Sequence, residues 1–215
     1  DWQTALADKH LDMSLNLAKG LDEFEIANIQ LHKAINYVTL GNNEAARKEF
    51  KRLASKVTGI QGESRVPYFV AECQIQLAEL DNRESKTASA IKQLEICLNA
   101  LESLGSAESI ERQFSCHLLL SKIYQDLTRF RDAQMRLSVA EKLLDKHSQL
   151  LARDSNYSYH RHREELENAK GQLIAEIALS NFENGVEYKR VLDQLHEAEQ
   201  AAGEAKTWHL KITEE

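Results

Sequence analysis

Helix breakers are scarce in this chain. Its 215 residues contain one proline and eight glycines, about a third of ordinary usage, in which Gly runs near 7% and Pro near 5%. Ala, Leu, Glu, Lys, Gln and Arg fill the gaps, and these residues lose least on entering a helix. The chain reads as all α. Long apolar runs are missing as well: no stretch approaches the about 18 uninterrupted apolar residues of a membrane span, so a membrane helix is excluded on length. A concentrated basic surface is also missing. The 27 Lys and Arg are interspersed with 34 Asp and Glu, for a net charge of −7, which weighs against the phosphate backbone of nucleic acid. The three cysteines, Cys73, Cys97 and Cys116, sit among apolar neighbours and are odd in number. That pattern suits buried thiols in a reducing compartment better than a disulfide framework. The opening "DWQTALADKHLDMS" is amphipathic instead of basic and then apolar, so no secretion signal is expected and a cytoplasmic location is. With 42% hydrophobic residues, the chain has enough apolar side chain for a substantial core in one or two domains.

What is present is periodic. The stretch "YVTLGNNEAARKEF", Tyr37 to Phe50, reads as the end of one helix, a tight turn at Gly41 and the start of another. After the turn come a small residue, an apolar residue four later and a further one three beyond: Ala46, Phe50, Leu53. The triplet recurs as Ala90, Leu94, Cys97, again as Ala133, Leu137, Ala140, and more weakly as Val191, Leu195, Ala198, with Ala5 in the first position at the front. The first residues of these triplets are 41, 44 and 43 apart from Ala5 to Ala133, and Gly20, Gly62 and Gly105 keep spacings of 42 and 43. Two marks holding one period predict helical hairpins stacked as repeats. Asp22 is expected to cap a helix and Glu25 to complete a capping box, with Gly20 ending the helix before it. The predicted helices are 2–19, 23–40, 43–57, 66–81, 85–104, 107–127, 130–152, 156–184 and 187–206, with a last one from near Trp208. An elongated turn is expected around "LDNRESKT".

In the copy around Gly41, Ala34, Tyr37, Leu40, Ala46 and Phe50 resemble the small-large-Gly-Ala-aromatic pattern of the tetratricopeptide repeat family. A later copy offers Leu120, Ser121, Tyr124, Phe130 and Ala133, and Trp2 stands at the family's turn aromatic. The period of 41 to 44 exceeds the family's 34 and is similar to the variants in kinesin light chains and bacterial signalling proteins, while HEAT and armadillo repeats share it. The resemblance implies a right-handed α-solenoid of about four to five hairpins over residues 1–215, cut from a longer protein. Ala34, Ala46, Ala90, Ala133 and Ala178 are expected at the closest helix approaches.

Between Ala133 and Val191 the spacing lengthens to 58. One long helix over about 156–184, with 153–172 as a helical insertion that projects beyond its neighbours, accounts for the extra residues. Its first half carries Tyr157, Tyr159, His160 and Arg163, residue types enriched at binding hot spots, and the helix is also offered as a dimer contact. The alternative is that the tyrosine rings pack on the adjacent helix. His160 and His162 point apart on a helix, and the other histidines lack ligands at metal spacing, so no metal site is expected. No phosphate loop, nucleophile elbow or paired-Cys motif occurs, and pairs such as Glu44 with Arg47 or Glu49 with Lys51 read as solvated helix support, so neither catalysis nor a cofactor is expected.

The remaining expectation is recognition. The first helix of each pair lines a concave groove for a peptide or protein partner, with Asn28, His32, Ile35 and Thr39 from one hairpin and Ser115, Lys122, Gln125 and Asp126 from another. Ile35 stands where a carboxylate clamp needs an amide, which speaks against the chaperone-docking subclass. Two roles fit: a sensory or regulatory region of a larger cytoplasmic signalling protein, or a scaffold subunit of a multiprotein assembly.

Overall fold

The computed structural model describes residues 9–14, 20–154 and 156–214. Trp2 and Ala5 lie outside that range, as does most of the expected helix 2–19, of which residues 9–14 are helical. From residue 20 on, eight helices follow: α1 Glu23–Thr39, α2 Asn43–Thr58, α3 Val66–Arg83, α4 Thr87–Leu101, α5 Ala107–Asp126, α6 Phe130–Asp154, α7 Asn156–Glu183 and α8 Tyr188–Glu214. No strand occurs among the described residues. The chain divides into two compact units, Asp1–Ser103 and Leu104–Glu215.

Within each unit the same packing scheme applies. In the first, α1 packs on α2, α2 on α3 and α3 on α4, while α1 also meets α3. In the second, α5, α6, α7 and α8 pack in the same sequence and α5 also meets α7. The four hairpins turn in one way. The second residue after each first helix has a left-handed backbone: Gly41 (φ 75°), Ser85 (61°), Thr128 (56°) and Gly185 (74°). The next amide then reaches back to a carbonyl five residues earlier, Asn42 N–H to Tyr37 at 2.8 Å, Lys86 to Asp81 at 2.8 Å, Arg129 to Tyr124 at 2.8 Å and Val186 to Asn181 at 2.9 Å. These bonds satisfy carbonyls that a helix end would leave unpaired. The turn at "LDNRESKT" is therefore not elongated. Asp81, Asn82 and Arg83 are helical, because Ser85 takes the left-handed position that glycine holds at 41.

The periodic triplets form the seams. Ala46, Phe50, Leu53, Ala90, Leu94, Cys97, Ala133 and Ala140 are fully buried, and Leu137 nearly so. In the first unit, Phe50 and Leu53 join Phe24, Leu31, Phe69 and Leu77 in one core, with Phe24 edge-on to Phe69 at 5.6 Å. Burying each such side chain contributes about 1.5–3 kcal/mol. In the second unit the Ser121 hydroxyl donates to the Ala133 carbonyl at 3.1 Å, so α5 and α6 come together where a larger residue has no room. Gly171 serves α7 and α8 likewise: a Cβ there would lie 3.3 Å from the Ala198 carbonyl oxygen. Cys73, Cys97 and Cys116 are buried thiols.

Asp22 caps α1, accepting from the Glu25 amide at 2.8 Å. The return half of the capping box does not form, because the Glu25 carboxylate accepts from Arg65 at 2.8 Å instead. Ser106 caps α5 in the same manner at 3.2 Å. The expected break before Trp208 is absent. Helix α8 runs on through Gly203, with the Thr207 hydroxyl donating to the Gly203 carbonyl at 3.1 Å, and a lone glycine costs a helix only about 1 kcal/mol. The expected projection of the 156–184 helix is also corrected. Its 28 residues are flanked by 25 in α6 and 27 in α8. The extra residues lengthen both arms of the α6–α7 hairpin, and α8 extends alongside.

Candidate partner-binding surfaces

Helix α1 places Asn28, His32, Ile35 and Thr39 at a spacing of four, three and four, which is one face of a helix. His32 and Thr39 are exposed, while Asn28 and Ile35 are half-buried. Ile35 packs against the core, and the Thr39 hydroxyl turns back to the Ile35 carbonyl at 3.4 Å. In the second unit Lys122 and Asp126 are exposed on α5, with Ser115 and Gln125 half-buried. The Ser115 hydroxyl donates to the Glu111 carbonyl at 3.1 Å.

The cluster on α7 is held by its neighbours. The Tyr157 side chain lies outside what is described. The Tyr159 ring meets Trp208 of α8 edge-on at 6.1 Å, and His160 lies 5.5 Å from the same indole. The Lys211 ammonium stands 3.8 Å over the Trp208 ring. Arg163 donates to the Tyr159 hydroxyl at 3.2 Å and pairs with Asp145 of α6. Sequence reasoning placed Trp208 at the start of a separate helix and so missed this pairing across α7 and α8.

His162 turns the other way, toward α5. Its ring lies 4.8 Å from Phe114, with Nδ1 3.4 Å from Glu165 and Nε2 3.7 Å from Glu111. Burial disfavours the imidazolium, yet the two carboxylates outweigh it and hold the pKa above the ordinary value. His117, on the same α5 helix, is buried with its Nδ1 unpartnered. Desolvation, aided by the charge of Arg136, lowers its pKa to about 4. Among the described residues no group of three or more His, Cys, Asp or Glu is placed to hold a metal ion, and no helix is long and apolar enough to cross a membrane.

Two features were not foreseen. A cleft of about 310 Å³ opens between α6 and α7, floored by Leu137, Leu173, Ile174 and Ile177. At one end Lys170 bonds to Glu141 at 2.6 Å and Glu167 at 3.1 Å. The second is an exposed apolar face on the α7–α8 hairpin, where Leu179, Phe182, Leu192 and Leu195 stay in solvent. The signal was present in the periodicity: Val191, Leu195 and Ala198 repeat the seam triplet. Only the fold shows that nothing in the second unit covers Leu195. No family model, curated protein or solved structure matches this chain, so these surfaces are its functional evidence.

Proposed function

We propose that the chain is a protein-interaction module, a right-handed solenoid of tetratricopeptide-like hairpins whose first helices hold a peptide or protein partner in a concave groove. Its setting is a sensory or regulatory region of a larger cytoplasmic signalling protein. The observation that carries the reading is the packing of first helix on first helix, α1 against α3 in one unit and α5 against α7 in the other. Adjacent first helices offer a partner a continuous surface of side chains, with His32 and Thr39 exposed on α1 of the first unit and Lys122 and Asp126 exposed on α5 of the second. Recognition of an extended segment or an amphipathic helix needs such a surface, with affinity concentrated in a few anchors.

The test is affinity capture with the full chain and with two surface variants, His32→Ala with Thr39→Ala, and Lys122→Glu with Asp126→Lys. A partner retained by the wild-type chain and lost with either variant supports the reading. Equal retention by both variants, at unchanged helicity and melting temperature, overturns the first-helix surface.

A further inference from the structure

Within each unit the second helix of the first hairpin, α2 or α6, turns one register of side chains toward the hairpin that follows. In α2 that register includes Arg47 and Phe50. Phe50 is fully buried in the core with Phe69, Cys73 and Leu77 of α3, and Arg47 donates to Asp81 of α3 at 2.6 Å. In α6 it is Gln134, Leu137, Ser138 and Glu141, which face Leu173, Ile174 and Ile177 of α7. There Glu141 accepts from Lys170 of the covering helix at 2.6 Å. With Val191 in the place of Ala46 and Ala133, the same register in α8 is Leu192, Leu195, His196 and Glu199. It is uncovered: Leu192 and Leu195 are each 45% exposed, and the Glu199 side chain is 83% exposed.

Two residues of α7 extend this face. Helix α7 meets α8 through Gly171, which lies against Ala198 and Ala201, and through Asn181, which donates to Gln194 at 2.9 Å. It meets α6 through Lys170 and Ile177. At 100° per residue, Leu179 and Phe182 fall on the flank away from α6, where they are 57% and 58% exposed. Antiparallel pairing brings Leu192 and Leu195 of α8 to that same flank.

We propose that this outer face of the α7–α8 hairpin docks one basic amphipathic helix of a partner protein, laid along α8 as α7 is laid along α6. Its apolar stripe covers Leu179, Phe182, Leu192 and Leu195, and a Lys or Arg pairs with Glu199. The proposal rests on the reading of the chain as an interaction module and names a second surface and its ligand. A helix is the occupant because a helix covers this register in both α2 and α6. The spacing it needs is that of Lys170, Leu173, Ile174 and Ile177, one basic residue followed by apolar residues three, four and seven positions on. A basic helix is favoured because Glu199, 83% exposed, stands at the register position where Glu141 of α6 accepts from Lys170 of its covering helix. A second copy of the chain is disfavoured because the same register, Leu192, Leu195, His196 and Glu199, holds no Lys or Arg to pair with Glu199.

The experiment uses the full chain and a fluorescent synthetic helical peptide built on that spacing over three turns, with a Lys→Glu version and a scrambled version, read by anisotropy. The Lys peptide is expected to bind saturably. Leu195→Glu is expected to weaken it about tenfold or more, and Glu199→Lys to shift preference to the Glu peptide, both at unchanged helicity and melting temperature. Binding that survives Leu195→Glu, or that the scrambled peptide matches, overturns the proposal. So does concentration-dependent dimerisation abolished by Leu195→Glu, which assigns the face to a second copy. Variants at His32 and Lys122 leave peptide binding unchanged if the two surfaces are separate, so the first-helix reading and this one fail independently.

Discussion

Arg47 of α2 and Asp81 of α3 stand 2.6 Å apart and tie one hairpin to the next. The other Asp81 oxygen accepts from Ser89 and Gln93, each at 2.7 Å, and Arg47 also reaches Glu84 at 3.1 Å. The pairing of Arg47 with Glu44 expected from sequence gives way to this network. Burial opposes the Asp81 charge, but the bonds from Ser89, Arg47 and Gln93 outweigh it and keep the carboxyl below its ordinary range. Removing one partner strands a nearly buried charge, so Arg47→Met is expected to cost about 1–3 kcal/mol in urea unfolding at pH 7. Because the folded pKa is depressed, the contribution is present above the unfolded carboxyl pKa and is lost as pH falls through the folded value. Asp81→Asn should flatten that part of the acid limb.

The two non-glycine turns are strained. A left-handed backbone costs an L-residue about 1–2 kcal/mol, and Ser85 and Thr128 both adopt it. Ser85→Gly and Thr128→Gly are each expected to stabilise by about 0.5–1 kcal/mol, net of the entropy glycine loses on folding. Gly41→Ala should destabilise by about 1 kcal/mol. Chemical denaturation of the three variants checks the sign.

Close helix approaches predict overpacking. Ala46 and Ala133 are fully buried, so Ala46→Leu and Ala133→Leu are expected to lose about 1–3 kcal/mol. Gly171→Leu should do the same by forcing α7 from the Ala198 carbonyl. Unchanged melting temperatures in all three would contradict the seams.

His162, which faces α5, and His117, on α5, give opposite pH slopes. His162 has a raised folded pKa, so its stabilisation is complete below the unfolded value and is lost as pH rises through the folded one. The groups facing it are Glu111 on α5, beside which Arg112 stands, and Glu165 on α7, which also pairs with Arg161. His117 is lowered to about 4, so its contribution is present above the unfolded value and declines as pH falls toward about 4. His162→Gln should remove the loss of stability above neutrality, and His117→Phe should ease the loss on acidification. Melting temperatures from pH 5 to pH 9 read both.

Much of the fold was legible because small and apolar residues recur at one period. The triplets at Ala46, Ala90 and Ala133 became buried seams, and Gly20 takes the left-handed backbone expected of it, as do Gly62 and Gly105, which keep its spacing. The matching position at the hairpin turns was not legible, because Ser85 and Thr128 carry no glycine signal. Asp81 read only as the last residue of its predicted helix, because its partners Arg47, Ser89 and Gln93 are brought to it only by packing. The candidate surfaces were half legible: the α1 stripe follows from spacing alone, whereas the exposure of Leu192 and Leu195 depends on what fails to cover α8.

The most direct test of a module that holds a partner on exposed helical faces is amide hydrogen exchange of the full chain with and without its captured partner. The expected result is added protection confined to α1 and α5, or to the outer face of α7 and α8, with the buried seams at 46–53 and 133–140 unchanged. Protection that appears first in those seams, or uniformly along the chain, contradicts it.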